Sequence, residues 1–323
     1  MNAATYSKFG TPEQVVSTQS IGTCEPGAGE IRIRMQLSPV HNHDVLTIRG
    51  EYGYQPELPA TGGSEALGIV DSVGQGVEHF AIGDRVNVVA VNGAWAETFI
   101  APAANAAKMP TNVPDELAAQ LTAMPFSAVM ALNALKAERG DWILVNAANG
   151  AVGKTIAQVA ASRGVNVANI VRSQTSRQTL LDLGFEAVFT TSDTDWTAQI
   201  QSKIGGARVA AAVDMVGGTA ANDLLTLLSE RSVLLVFGQM DDRMLQLNGG
   251  TLIYKEVSVQ GFWGSAVFQH ATTEELSATR DELVELAATG LLQLPVAATY
   301  PLDKVSQAMA AYEGERDGKI FIS

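Results

Sequence analysis

The sequence predicts an α/β protein in which a doubly wound parallel sheet follows a barrel-like β domain. Three observations carry that expectation. The 323 residues are about twice a typical domain length, so two domains are expected. The first third alternates apolar and polar residues with the period of half-buried strands, broken by glycine-bearing turns. From about residue 115 onward, apolar strands alternate with helices, the pattern of a parallel sheet covered on both faces.

In Glu30–Ser38, Ile31, Ile33, Met35 and Leu37 alternate with Arg32, Arg34, Gln36 and Ser38. Leu67–Val73, Arg85–Val91 and Ala96–Ala101 are further short strands, separated by Gly62-Gly63, Gly74/Gly76 and Gly83-Asp84. Leu117–Leu135 is broken by Gln120, Thr122, Pro125, Ser127 and Asn133, so it reads as buried core and not as a membrane span. Strands follow at Trp142–Ala147, Val165–Val171, Glu186–Thr191, Val209–Val213, Val233–Phe237 and Val257–Phe262. Helices lie between them at Ala151–Arg163, up to Leu183, at Thr194–Ile204 and at Thr219–Ser229, two of them stopped by Gly164 and Gly184. The tail offers a helix at Thr273–Thr289, a second carrying Val305, Ala308, Met309 and Tyr312 with Asp303 as its N-cap, and a strand at 318–322. It needs a partner surface, which the β domain is expected to supply. The expected division is 1–118, 119–263, and 264–323 returning to the first domain.

Composition excludes several classes. Apolar residues are 46% and charged residues 17%, the reverse of a disordered chain. Lys and Arg number 21 against 34 Asp and Glu, a net charge of −13, which disfavours nucleic-acid and anionic-membrane partners. Cys24 is the single cysteine, so neither an intrachain disulfide nor a multi-cysteine zinc site is expected. The N-terminus lacks a signal-peptide pattern. A cytoplasmic protein is expected.

Trp142 to Thr155 reads as strand, turn and helix around Ala148-Asn149-Gly150-Ala151-Val152-Gly153. Gly150 lets the backbone approach a pyrophosphate, Gly153 lets the helix pack on the strand, and the helix N-terminus favours the negative charge. Gly153-Lys154-Thr155 with Val213-Asp214 also suggests a P-loop NTPase, although that motif wants glycine at Ala148. No acidic residue lies between Trp142 and Leu181, and Arg172, Ser173 and Arg177 follow the second strand. Guanidinium groups there suit a 2′-phosphate, so NADPH is expected over NADH. The alternative is that Arg172 and Arg177 are solvated helix-start residues.

Gly83-Asp84-Arg85-Val86, the Asn149–Gly153 turn, Val213-Asp214-Met215-Val216-Gly217-Gly218 and Phe237-Gly238-Gln239-Met240 resemble the medium-chain dehydrogenase/reductase superfamily over essentially the whole chain. The run from Arg49 through Tyr52 and Pro59 to Gly63 is similar to the GxYGxxPELPAxGGxE run of zinc-free 2-enoyl thioester reductases. Asn146–Gly153, Met124-Pro-Phe-Ser127 and Gly261-Phe262-Trp263 also follow that subgroup and the quinone oxidoreductases.

The resemblance implies a Rossmann domain beside a GroES-like β-barrel catalytic domain, and an NADPH-dependent, zinc-independent homodimer acting on a small molecule. Positions of zinc ligands in metal-dependent members match His41, Ser64 and Met124, of which only His41 suits the ion. His41, His43 and Asp44 are expected as turn residues beside the nicotinamide, with His41 and Tyr54 on the substrate side. Tyr52 matches the catalytic tyrosine. Asn149, Gly150, Ala151, Val152, Gly153, Arg172, Ser173 and Arg177 are the implied coenzyme contacts; Ser127, Gly238, Met240, Phe262, Trp263 and Lys319 are implied nearer the ribose and nicotinamide. The implied reaction is hydride transfer to the C=C of a 2-enoyl thioester or enone in the interdomain cleft. Quinone reduction and non-catalytic NADPH binding are the alternatives.

Overall fold

The computed structural model describes residues 1–241, 243–314 and 316–323, in two compact units: Met1–Met124 with Leu283–Ser323, and Pro125–Glu282. The chain returns to the first unit later than residue 264. Helix Gly264–His270 and the Thr273–Glu282 part of helix Thr273–Ala288 belong to the second unit.

Strand Glu30–Pro39 is the hub of the first unit. It pairs antiparallel with Glu65–Val73, Thr98–Pro102 and Lys319–Ile322, and Arg85–Val89 extends the sheet from Glu65–Val73. Its alternation explains the packing: Ile31 and Ile33 are buried with Val70, Val86, Val88 and Phe99, while Arg34 is exposed. The tail docks by the same logic. Ile320, Phe321 and Ile322 are buried, with Phe321 and Ile322 opposite Pro39 and Ser38, and Val296–Tyr300 adds a parallel strand beyond them. Asp303 is not an N-cap; it lies in a 3₁₀ turn, Leu302–Lys304, and the helix Val305–Glu313 follows it.

Asn2–Tyr6 forms a small sheet with Ser17–Ser20 and Ala60–Thr61 that the periodicity does not reveal. Nor does it reveal helix Asn42–Arg49, which His41 caps. His43 and Asp44 therefore stand in a first helical turn and not in an open turn. Asp44 Oδ2 accepts the His41 N–H at 2.9 Å, an acidic side chain closing the helix start. Gly62 and Gly63 are dictated by packing, since a Cβ on either would lie 2.4 Å from the buried Trp95 ring.

The second unit contains β1 (Trp142–Val145), α1 (Ala151–Ser162), β2 (Asn166–Val171), α2 (Gln174–Asp182), β3 (Val188–Thr190), α3 (Trp196–Ile204), β4 (Val209–Asp214), α4 (Ala220–Leu227), β5 (Val233–Val236) and β6 (Ser258–Gly261). Its strands are parallel, in the order β3-β2-β1-β4-β5-β6. The order reverses between β1 and β4, and open α/β sheets take ligands beyond the carboxyl ends of the strands at such a point. Leu144, Ala168, Ile170, Ala212 and Leu234 build the core with Leu224 and Leu225 of α4. All four residues of β6 are exposed, as befits an edge strand and against the two-sided burial expected of it. Helix Met124–Leu135 is apolar except at Ser127 and Asn133, so it shows little helical period in sequence. Gly249–Lys255 and Gly264–His270 are short helices that the sequence reading leaves out.

A Cβ on Gly153 would lie 2.6 Å from the Ala148 Cα, so α1 meets the preceding turn backbone to backbone. Gly153→Ala is expected to lower the melting temperature by several degrees, from an overpacking cost of about 1–3 kcal/mol. Circular dichroism would show it, and an unchanged midpoint would contradict the close approach.

Candidate active site

In the first unit a buried carboxylate organises the polar residues. Glu65 opens its strand immediately after the Gly62-Gly63-Ser64 turn and is fully buried. Its Oε1 accepts from the Thr122 N–H at 2.7 Å, the Ala123 N–H at 3.0 Å and the Asn87 amide at 3.3 Å. Its Oε2 lies 2.7 Å from His41 Nε2, and the opposite ring nitrogen, Nδ1, lies 3.2 Å from Lys319 Nζ. Burial pushes Glu65 up to about 7, against the pull of its Thr122 and Asn87 donors and of Lys319. Burial also brings Lys319 down from 10.5 to about 8, opposed by the charges of Glu65 and Asp44. His41 is held well below the usual imidazole range by burial, with Lys319 and His43 adding to the effect. A neutral His41 can donate Nε2–H to Glu65 while Nδ1 accepts from the Lys319 ammonium.

His43 stacks on His41 with ring centroids 5.0 Å apart, and its Nε2 is 2.6 Å from the Ser64 hydroxyl. The Tyr52 ring lies 5.9 Å from the His43 ring. Lys319, far from His41 and Tyr52 in sequence, therefore shares one cluster with them. Tyr54 lies on the exposed side, its hydroxyl accepting from the Asn92 amide at 3.3 Å. Glu65, Asn87 and Thr122 are not found by the sequence reading. The signal for Glu65 is the final acidic position of the GGxE pattern, matched here by Gly62-Gly63-Ser64-Glu65.

The remaining expected residues lie in the second unit, largely at the carboxyl ends of its strands. Asn149 and Gly150 are accessible, and Gly150 precedes Ala151, Val152 and Gly153 in the first turn of α1, where N–H groups have no carbonyl ahead of them in the helix. Arg172 is exposed at the end of β2. Ser173 caps α2, accepting the Ser176 N–H at 3.2 Å, and Arg177 donates Nε–H to the Val188 carbonyl at 3.0 Å. Both therefore have a contact inside the protein, Arg177 through Nε only, and Arg172 is exposed. Gly238 and Met240 follow β5, with Met240 exposed; Phe262 is buried and stacks on Phe237 at 5.2 Å, and Trp263 is exposed. Ser127 lies beside Gly264, where a Cβ would be 2.7 Å from its hydroxyl.

The P-loop reading fails on Asp214. Its buried carboxylate accepts from the Asn146 amide at 2.5 Å and from the Val216 and Gly217 N–H groups at 3.1 Å. It braces the turn after β4 and is not presented to a metal–nucleotide complex. Lys154 is likewise buried within α1.

Residues 27–111 match the family described as Alcohol dehydrogenase GroES-like domain, and residues 151–281 match Zinc-binding dehydrogenase. The chain belongs to the medium-chain dehydrogenase/reductase superfamily. Among curated relatives of this superfamily member, the mitochondrial enoyl-[acyl-carrier-protein] reductase of Xenopus tropicalis is 28% identical, over 94% of this chain and 89% of the relative. The Escherichia coli quinone oxidoreductase complexed with NADPH is 26% identical, with a TM-score of 0.88 over 100% of this chain and 99% of that one. A mycobacterial quinone oxidoreductase is 29% identical, with a TM-score of 0.88 and the same coverage of 100% and 99%. Among the described residues no helix is long and apolar enough to cross a membrane.

The coupling of Lys319 to Glu65 is directly measurable. In a ¹³C-lysine-labelled sample the ε-carbon of Lys319 should titrate near 8 instead of 10.5. Glu65→Gln should lower that midpoint further, because it removes an anion that holds the proton on. An unmoved midpoint would break the link.

Proposed function

We propose that this protein is an NADPH-dependent reductase that transfers hydride to the C=C of an α,β-unsaturated carbonyl, a 2-enoyl thioester or an enone, without a metal ion. The observation that carries this reading is the first-unit cluster, which offers a phenol and an ammonium, while the positions that hold zinc in metal-dependent members of the superfamily carry His41, Ser64 and Met124. His41 is committed to Glu65 and Lys319, the Ser64 hydroxyl is paired with His43, and Met124 offers only a thioether. Zinc takes thiolate, imidazole and carboxylate ligands, so these residues do not fit it.

The second unit fits the coenzyme. The exposed Gly150 and the first-turn N–H groups of α1 suit a pyrophosphate, and Arg172, with no acidic residue up to Leu181, suits a 2′-phosphate. Bound there, NADPH would supply hydride to the electron-poor β-carbon. This chain then has to stabilise the developing enolate and deliver a proton to the α-carbon, and Tyr52 provides the proton. The quinone oxidoreductase neighbours favour a second reading, quinone reduction, which requires no proton on carbon and makes Tyr52 dispensable. A non-catalytic NADPH-binding protein is the reading of another class and predicts no turnover with any acceptor.

We also infer a homodimer, supported by the edge strand β6 and by exposed Ile253 and Tyr254 on the helix before it. A cytoplasmic location is inferred from the lone Cys24, which offers no intrachain disulfide, whereas the Xenopus relative carries a mitochondrial name.

The test follows NADPH absorbance with crotonyl-CoA, an enone, a small quinone, and an alcohol plus NADP⁺. The enoyl thioester or enone should be reduced, and Tyr52→Phe should slow that reaction by about 10²-fold or more while sparing quinone reduction. Turnover of the quinone alone would overturn the assignment. Arg172→Ala should weaken NADPH binding far more than NADH binding in a fluorescence titration; equal losses would remove Arg172 from the 2′-phosphate.

A further inference from the structure

We propose that Lys319 is the electrophilic residue of the reaction: its ammonium, positioned by His41 and Glu65, binds the carbonyl oxygen of the acceptor and stabilises the negative charge that collects there on hydride addition. The proposal rests on the reductase reading and reassigns Lys319 from the coenzyme to the substrate.

The geometry singles out this lysine. An ammonium carries three N–H donors. One is directed to His41 Nδ1 at 3.2 Å, and the other two have no partner among the described residues. The root of the side chain is fixed, because Ile320, Phe321 and Ile322 are buried and their strand is paired with Glu30–Pro39. The immediate neighbour of the ammonium is a neutral imidazole and not a carboxylate. Glu65 stands on the far side of that ring, where it favours the positive charge by Coulomb attraction without taking its hydrogen bonds. A direct lysine–glutamate pair would occupy those donors. The interposed His41 leaves a preorganised cation with two donors that no described residue takes, the arrangement that stabilises charge developing in a transition state. Two stacked imidazoles connect it to Tyr52, so one cluster holds both a group for the oxygen and a group for the α-carbon.

The step balances. The hydride pair makes the β-carbon–hydrogen bond, and the C=C π pair moves to form the enolate, with its charge on the oxygen at Lys319. Tyr52 gives its proton to the α-carbon and regains one from water. A quinone builds the same charge on oxygen, so Lys319 serves either acceptor.

The test uses the full-length protein with Lys319→Met, Lys319→Arg and His41→Asn. Without coenzyme, the wild type should raise the ultraviolet enolate band of an acetoacetyl thioester at fixed pH. Lys319→Met should abolish that rise, Lys319→Arg should restore part of it, and His41→Asn should fall between the two. In turnover, Lys319→Met should lower kcat/KM for the acceptor by about 10²-fold, with the NADPH dissociation constant from fluorescence changed by no more than about twofold. An enolate band that survives Lys319→Met overturns the proposal. So does a loss of NADPH affinity as large as the loss of kcat/KM, which returns Lys319 to the coenzyme. If the wild type reduces no acceptor, the reductase reading fails, while the enolate titration still reports on Lys319.

Discussion

The buried carboxylate of Glu65 is the constraint on which the first unit's chemistry depends. A charge taken out of water has to be met by donors, and here they come from separate parts of the chain: the Thr122 and Ala123 backbone, the Asn87 amide and the His41 ring. One side chain thereby registers a sheet strand, a helix cap and the segment leading into helix Met124–Leu135. Its own position is set by the Gly62-Gly63 pair, which exists because Trp95 leaves no space for a Cβ. Removing one partner of such a buried set typically costs about 3–5 kcal/mol. Truncating Glu65 would therefore affect stability as well as the cluster.

Asp214 in the second unit shows the same physics with a different outcome. Its carboxylate is consumed by the Asn146 amide and by two backbone N–H groups. These interactions shape the turn after β4 and leave nothing for a ligand. Glu65 uses one oxygen in that structural way and directs the other through His41 to Lys319. The difference lies in the neighbour: a carboxamide and peptide groups end a network, whereas an imidazole carries it on to a further group.

The second unit was largely legible because its information is local. Apart from the edge strand β6, the strands are largely apolar runs, Gly164 and Gly184 stop helices, and Gly153 marks a close approach that a Cβ would block. The first unit was less legible because its decisive contacts span long separations. Lys319 and His41 meet across most of the chain, and no spacing rule predicts that an end-strand lysine reaches a helix cap. Helix Asn42–Arg49 is too short to display a period, and Met124–Leu135 is too apolar to show one. Ser173 and Arg177 were singled out by motif, and the structure shows each with a contact inside the protein. Which atoms stay exposed only the packing decides, and it leaves Arg172 facing solvent while engaging Ser173 and the Nε of Arg177.

The network is costly to the fold at the pH where it is most polar. Glu65 has a folded pKa raised from 4.5 to about 7, so its ionisation removes stability as pH climbs through that interval. Lys319 has a folded pKa lowered from 10.5 to about 8, so its protonation removes stability as pH falls through that one. Between about 7 and 8 both penalties are present together, already reduced by the attraction of the two charges across His41. Well-packed apolar residues of similar volume would often hold such a site as firmly or more so. A charged set that opposes folding near neutrality, and that leaves donors of its cation uncommitted, is better explained by what it does to a bound carbonyl than by what it does for the core.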